Sequence, residues 1–317
     1  MQYVSTYKAT LIVVRSALLT MFYFNAVAQP DSFPALHGNY LGQTRPGDSA
    51  IVFAKGIVST DVYEHSAAIF SRDGNILLWG TVDRNKPGAL MEMRRIGNTW
   101  TKPATPSFAQ NTYDDMYPFF SVDGSKLYFG SRRPLPSGSP AGDIRIWVIE
   151  RTAAGWGTPT VLDTTLFHGF EYAHSVSKNG DLYFSAREPV DNKFKWSIYC
   201  AKYSNGKYLQ PEKLDTCINN GWYVDGPCIS PDENFLVFES DRPGGIGSID
   251  LYICFRQKNN SWGLPINMGP KVNTGFAERF AGLSPDGKYF FFGSNRASAL
   301  PDIYWIKADF IDDLKRK

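Results

Sequence analysis

Five polar side chains recur along this chain just ahead of a serine. His65, Asp115, Glu171 and Glu278 each lie six residues before Ser71, Ser121, Ser177 and Ser284, and Asp225 lies five before Ser230. Carboxylates gathered in one place can hold a cation, a hydrated metal, or the amino and hydroxyl groups of a ligand. Two of them, or His65 with His174, could also act as acid and base on a sugar. Unbalanced like charges would raise one another's pKa values, and a bound cation would relieve them. The candidate ligand-binding set is therefore His65, Asp115, Glu171, His174, Asp225 and Glu278, with a bound cation as the candidate cofactor and no catalytic residue assigned. A second reading stands beside this one. Arg133, Arg187, Arg242 and Arg296 also recur, with Arg84 in a looser place, as do Asp143, Asp250 and Asp302. Charged positions that repeat with a fold are more often its ion pairs than its ligand groups.

The elements that would position these groups follow from the period. The marker serines stand 50, 56, 53 and 54 residues apart, a spacing that points to stacked repeat units. Each serine is followed by a turn pair: Asp73-Gly74, Asp123-Gly124, Asn179-Gly180, Asp232-Glu233 or Asp286-Gly287. Asp and Asn bond their own backbone and Gly accepts positive φ, so each pair closes a hairpin. Glu233 breaks the pattern, which predicts a different backbone solution for the fourth turn. The run after each turn is apolar without alternation, as in Phe235-Leu236-Val237-Phe238 and Tyr289-Phe290-Phe291-Phe292. Such strands are covered on both faces. Third strands are expected at 143–149, 196–202, 250–255 and 302–306. Trp100-x-x-Pro103, Trp156-x-x-Pro159, Tyr208-x-x-Pro211 and Trp262-x-x-Pro265 are expected to form the outermost strand, where a residue lacking N–H is tolerated.

Four strands per unit, stacked about an axis, make an all-β propeller. The string Ser230-Pro231-Asp232, Phe238-x-Ser240-x-Arg242-x-Gly244-Gly245, Asp250-Leu251-Tyr252 resembles the WD40-like PD40 repeat of TolB-type β-propellers. The resemblance covers about residues 50–306 and implies a propeller of four-stranded blades. It implies no activity, because such repeats serve binders and enzymes alike. Residues before 49 offer no counterpart of the TolB N-terminal domain, so TolB's partners are not implied. The repeat count gives five blades, with six as the alternative because TolB-type rings usually have six and the linkers 161–170 and 215–222 are long.

Residues 1–28 read as a signal peptide: Lys8 and Arg15, a short apolar core at 16–24, then Ala26-Val27-Ala28 as a cleavage site. The apolar core is too short for a membrane span. Cleavage predicts a mature chain with 31 basic and 31 acidic residues, in the periplasm or outside the cell. That neutral balance argues against nucleic acid as a partner. Residues 29–48 form a lead-in. Residues 49–307 hold the propeller, and the segment 49–58 sits where a fourth strand would, with no blade in front of it. The last repeat lacks a fourth strand, so the N-terminal strand is expected to close the ring and remove two sheet edges. Residues 308–317 read as a short C-terminal helix, with Asp309 as N-cap and Phe310, Ile311 and Leu314 on one face. Cys200, Cys217, Cys228 and Cys254 permit three pairings, and the export prediction allows a disulfide.

The sequence holds no G-x-S-x-G elbow and only four His. The reading it favours is an exported bacterial propeller binding a protein, peptide or glycan at one mouth of its channel. The alternatives are a glycoside hydrolase or lyase using the axial acids and histidines, and a structural component of the cell envelope.

Overall fold

The computed structural model describes residues 33–316, except 111, 137, 139–141, 154, 164–165 and 167–170. The signal peptide expected at 1–28 lies outside the described residues. Five antiparallel sheets follow one another as five blades. Blade 1 holds Tyr63–Glu64 and Ile69–Phe70 as an interrupted inner strand, then Ile76–Val82 and Ala89–Ile96. Blade 2 holds Asp115–Phe120, Lys126–Ser131 and Arg145–Thr152; blade 3 holds Glu171–Val176, Leu182–Val190 and Lys193–Ala201. Blade 4 holds Val224–Ile229, Phe235–Ser240 and Asp250–Phe255; blade 5 holds Glu278–Leu283, Tyr289–Ser294 and Asp302–Lys307. The alternative of six blades is thereby excluded.

The ring closes through its N-terminal strand. Ile51–Val52 pairs with the third strand of blade 5, Ile51 opposite Trp305 and Val52 opposite Tyr304. Phe53 continues the pairing, its N–H donating to Ile303 O at 2.8 Å. The Phe53 ring is fully buried, with Phe70, Phe291 and Trp305 at 5.1–6.0 Å between ring centres. The apolar runs are buried from both sides, including Leu77, Leu78 and Phe290–Phe292. Phe310–Lys315 is the C-terminal helix, burying Phe310, Ile311 and Leu314 against the core of blades 4 and 5. Asp309 makes no side-chain cap there and pairs with Lys307 instead, at 2.5 Å.

Three local expectations need correction. The Trp-x-x-Pro segments form only part of the outermost strand: Thr99–Trp100 and Gly155–Trp156 are outermost in blades 1 and 2, but the proline breaks the pairing. Their aromatic residue folds back on the end of the third strand, as Trp156 does opposite Arg151, or on the residues just past it, as Tyr208 does opposite Tyr203. Past the proline the outer pairing resumes at Thr160–Val161 in blade 2, and it is made by Glu212–Lys213 in blade 3 and Ile266–Asn267 in blade 4. Secondly, Glu233 adopts the left-handed backbone of its glycine counterparts, with φ of 58° against 66° at Gly74 and 68° at Gly287. Its carboxylate accepts from Arg256 at 2.9 Å and Tyr183 at 3.1 Å, and these contacts offset the strain of that conformation. Thirdly, all four cysteines are free thiols, and Cys200, Cys228 and Cys254 are buried. Burial pushes the Cys200 thiol up to about 11 and the Cys228 thiol up to about 12.

Candidate functional site at one mouth of the channel

The turn serines anchor each hairpin. Ser71 Oγ donates to Asp73 at 2.6 Å and accepts from Ile76 N at 2.9 Å; Ser121 and Ser284 repeat both bonds. From these fixed points the inner strands run to the opposite mouth, and each is irregular on the way. The ladder slips between Met116 and Phe119, Glu171 and His174, Asp225 and Cys228, and Arg279 and Gly282. Blade 1 has one more residue in this stretch than the other four blades. Judged by cross-strand partners, one position is filled by Glu64, Asp115, Glu171, Val224 and Glu278, opposite Thr81, Ser131, Ala186, Ser240 and Ser294. His65 and Asp225 occupy the next position, shared with Met116, Tyr172 and Arg279. Neighbouring residues on a strand face opposite ways, so the structure divides the candidate set between two environments.

The first environment is scaffold. Arg133 grips both oxygens of Asp115 at 3.0 and 2.8 Å, and both residues are buried. Glu278 accepts from Thr274 N and Oγ1 and from Ser294 Oγ at 2.7–2.8 Å, with Arg296 at 3.4 Å. Glu171 is buried opposite Ala186. Glu64 accepts from Thr60 N and Oγ1 through one oxygen, while its other oxygen is buried without a partner. Burial pushes the Glu64 carboxyl up to about 8.

The second environment faces the axis. Asp225 accepts from Tyr223 Oη at 2.8 Å, from Gly226 N at 2.7 Å, and from Ser185 Oγ. Opposite it lies Glu239, fully buried, whose Oε2 is 3.6 Å from Arg279 Nε. Burial and then the neighbouring Asp225 push the Glu239 carboxyl up to about 8, against the pull of Arg279. The Arg279 guanidinium lies 5.0 Å from the centre of the Tyr223 ring, as a cation over an aromatic face. Aromatic rings complete the circuit: His65 with Tyr63, Tyr117 and Phe280, Tyr117 with Tyr172, Tyr172 with Trp196, and Trp196 with Tyr223. Every blade thus contributes a side chain. Tyr117 and Phe280 sit in the ladder slips with positive φ and line the narrow centre opposite Ser66, Ala173 and Gly226.

His65 is half-buried among these rings, and His174 is buried with Tyr128 beside it. Burial pushes the His65 imidazole down to about 4, and the His174 imidazole likewise. His174 Nδ1 lies 3.0 Å from Tyr172 O. Both rings are therefore neutral at physiological pH. Among the described residues, no three His, Cys, Asp or Glu side chains come together as a ligand set for a metal ion. No helix among them is long and apolar enough to cross a membrane.

Around this mouth stands an apolar rim. Val62, Trp222 and Phe276 are exposed, each two residues ahead of the recurring inner-strand position. Phe194, near the start of the third strand of blade 3, and Ile246, from the connection between the second and third strands of blade 4, are exposed at the same end. A cleft of about 830 Å³ opens between blades 5 and 1, lined by Asp61, Tyr63, Asp83, Arg84, Arg279 and Leu300 among others. Sequence counting missed Tyr63, Tyr172, Trp196, Tyr223, Glu239 and Arg279. Their signal is lack of repetition: Arg279 and Tyr172 hold a position that no two blades fill alike.

No family model matches the chain, and no curated protein sequence does. Among solved structures, it is similar to TolB from Acinetobacter baumannii, at 12% identity and a TM-score of 0.46, over 80% of this chain and 59% of that one. A protein described as a glycoside hydrolase gives 10% identity and a TM-score of 0.48, over 78% of this chain and 91% of that one. Trypanosoma rangeli sialidase gives 12% and 0.42, over 86% and 60%. The chain thus spans less than two thirds of the TolB structure. Likeness at this level concerns the fold alone.

Proposed function

We propose that this chain is an exported propeller, a divergent relative of the PD40-repeat group, that binds a polypeptide segment at the mouth where the inner strands begin. The observation that carries this reading is the rim. Val62, Trp222 and Phe276 expose apolar side chains at one repeat position, and Phe194 and Ile246 join them. Exposed apolar groups gathered around a polar centre mark an interaction surface. The rim mixes aliphatic with aromatic groups, which suits peptide side chains better than sugar faces. Below it, Tyr63 and Arg279 offer polar groups for backbone carbonyls. The hydrolase alternative is weaker. Asp115 is neutralised by Arg133, and Glu278 is saturated by Thr274, Ser294 and Arg296, which leaves neither poised as an acid or base. Location in the bacterial envelope rests on residues 1–28.

The test is panning of a random peptide library on the immobilised protein, followed by affinity measurement on a Trp222→Ala/Phe276→Ala variant. Enriched peptides should bind the variant at least about tenfold more weakly, as expected for losing central apolar anchors. Peptides that bind both proteins equally would overturn the assignment of this mouth.

A further inference from the structure

The channel has a second mouth, at the end where the inner strands run into their turns. A cavity of about 720 Å³ opens there, within the range of about 300–1,000 Å³ typical of small-molecule sites. The residue before each marker serine lines its wall, one from every blade: Phe70, Phe120, Val176, Ile229 and Leu283. All five are apolar. Ile69, Phe119 and Cys228, one position further back, deepen the wall. Ile69 and Phe119 also line the narrow centre of the channel, where Tyr117 and Phe280 leave about 30 Å³. The cavity is therefore a funnel that tapers to a constriction between apolar walls. The serine hydroxyls at this level are engaged in their own turns. Ser121 and Ser284 donate to Asp123 and Asp286 and accept from Lys126 N and Tyr289 N, and Ser177 Oγ accepts from Asp181 N at 3.2 Å. Amide groups of a peptide would find no partner among them, and an unpartnered amide is costly to bury. A hydrocarbon chain carries no such cost.

The lip is different in character. The residue after each serine stands there: Arg72, Val122, Lys178, Pro231 and Pro285. Blades 4 and 5 keep the proline of the Ser-Pro-Asp turn, whereas blades 1 and 3 replace it with exposed cations. Lys126, half-buried at the start of the second strand of blade 2, adds a third cation. Their backbones are fixed by neighbouring blades. Lys178 N donates to Pro231 O at 2.8 Å, and Arg72 lies against the turn of blade 2, where a Cβ added to Gly124 would stand 3.1 Å from the Arg72 Cβ. The lining thus holds three cations and one carboxylate, Asp123, which accepts from Ser121 Oγ at 2.6 Å and Ser125 N at 3.0 Å. The other turn acids nearby have partners elsewhere: Asp73 pairs with Arg151 at 2.9 Å, Asp181 with Lys202 at 2.6 Å, and Asp286 accepts from Tyr40 Oη at 2.9 Å. Cations at the edge of an apolar cavity attract anions more strongly than the same charges on an open surface.

We propose that this second mouth binds a single-chain anionic amphiphile, with its hydrocarbon tail in the funnel and its head group among Arg72, Lys126 and Lys178. The site does not rest on the rim, because the constriction at Tyr117 and Phe280 stands between the two mouths.

Binding of decanoate and of 1-decanol, the same chain with a neutral head, is measured by calorimetry at pH 7, below the concentrations at which either self-associates. Decanoate should bind the wild-type protein at least about tenfold more tightly, as charge-assisted bonds to its head require. Acetate, a head without a tail, should show no binding at the same concentrations. Arg72→Gln with Lys178→Gln, at two exposed positions, should leave the melting temperature of the free protein unchanged and weaken decanoate at least about tenfold. Equal binding of decanoate and decanol, or a decanoate preference that survives the double substitution, would overturn the proposal. The Trp222→Ala/Phe276→Ala variant should bind decanoate as the wild type does, and a loss there would move the chain to the other mouth and overturn this site as well. Peptide binding without decanoate binding would therefore count against this mouth alone, and the reverse against the rim alone.

Discussion

Replacing Glu239 with Gln tests how the axis is held together. Glu239 is fully buried and stands opposite Asp225 on the neighbouring strand. Phe280 N donates to Oε1 at 3.4 Å, and Arg279 Nε is 3.6 Å from Oε2. The carboxyl is raised from 4.5 to about 8, first by burial and then by Asp225. Between those values the native state binds a proton that the unfolded state has released. Stability from this group is therefore fully present below the unfolded value and is lost as pH rises through about 8. Each pH unit in that window is worth about 1.4 kcal/mol, so the loss between about pH 5 and pH 8 reaches roughly 3–4 kcal/mol. Gln keeps an acceptor for Phe280 N and cannot ionise. Glu64 titrates in the same window with the same sign, so the variant keeps part of the slope. The assay is urea unfolding of wild type and variant at several pH values, read as the difference between the two proteins. The gap should move by roughly 3–4 kcal/mol in favour of Gln on going from about pH 5 to about pH 8. Parallel stability curves would refute the reasoning, because Glu239 would then be ionised in the folded protein throughout.

Other outcomes follow from the same structure. Phe53→Ala empties the junction of Phe70, Phe291 and Trp305 and should cost about 3–5 kcal/mol in chemical denaturation. Asp115→Asn leaves Arg133 buried without its counter-charge and should lower stability by about 3–5 kcal/mol, while Asp115→Asn with Arg133→Met should recover much of it. The pair Glu171→Gln with Asp225→Asn separates two accounts of the mouth through the sign of the melting shift in metal-free buffer. A rise indicates carboxylates that repel one another, and a fall indicates carboxylates held by their donors. N-terminal sequencing of protein recovered outside the cytoplasm should begin at Gln29, and an intact Met1 would remove the case for export.

The blades were legible in the sequence because their chemistry is local. A serine, an Asp and a residue of positive φ within a few positions close a hairpin whatever surrounds them, and the apolar run after each turn declares that both faces are covered. Glu233 shows the limit of that argument: a non-glycine can take the same backbone when Arg256 and Tyr183 hold its side chain. The site was less legible because the inner strands do not keep step with their turns. Each slips where the crowded axis forces a residue such as Tyr117 or Phe280 into positive φ. Counting back from the serine therefore crosses an irregularity before it reaches the mouth. It brought His65 into line with Asp115, when Glu64 shares that position, and it gave no reason to notice Arg279 or Glu239. The cations beside two of the marker serines, Arg72 and Lys178, were visible throughout. Their meaning was not, because a departure from the repeat becomes informative only when the cavity it borders is seen. Where blades 4 and 5 keep a proline, blades 1 and 3 place these cations at the lip of an apolar funnel. In a fold built by repetition, the scaffold explains what every blade shares, so the groups to be examined for function are those by which one blade departs from the others.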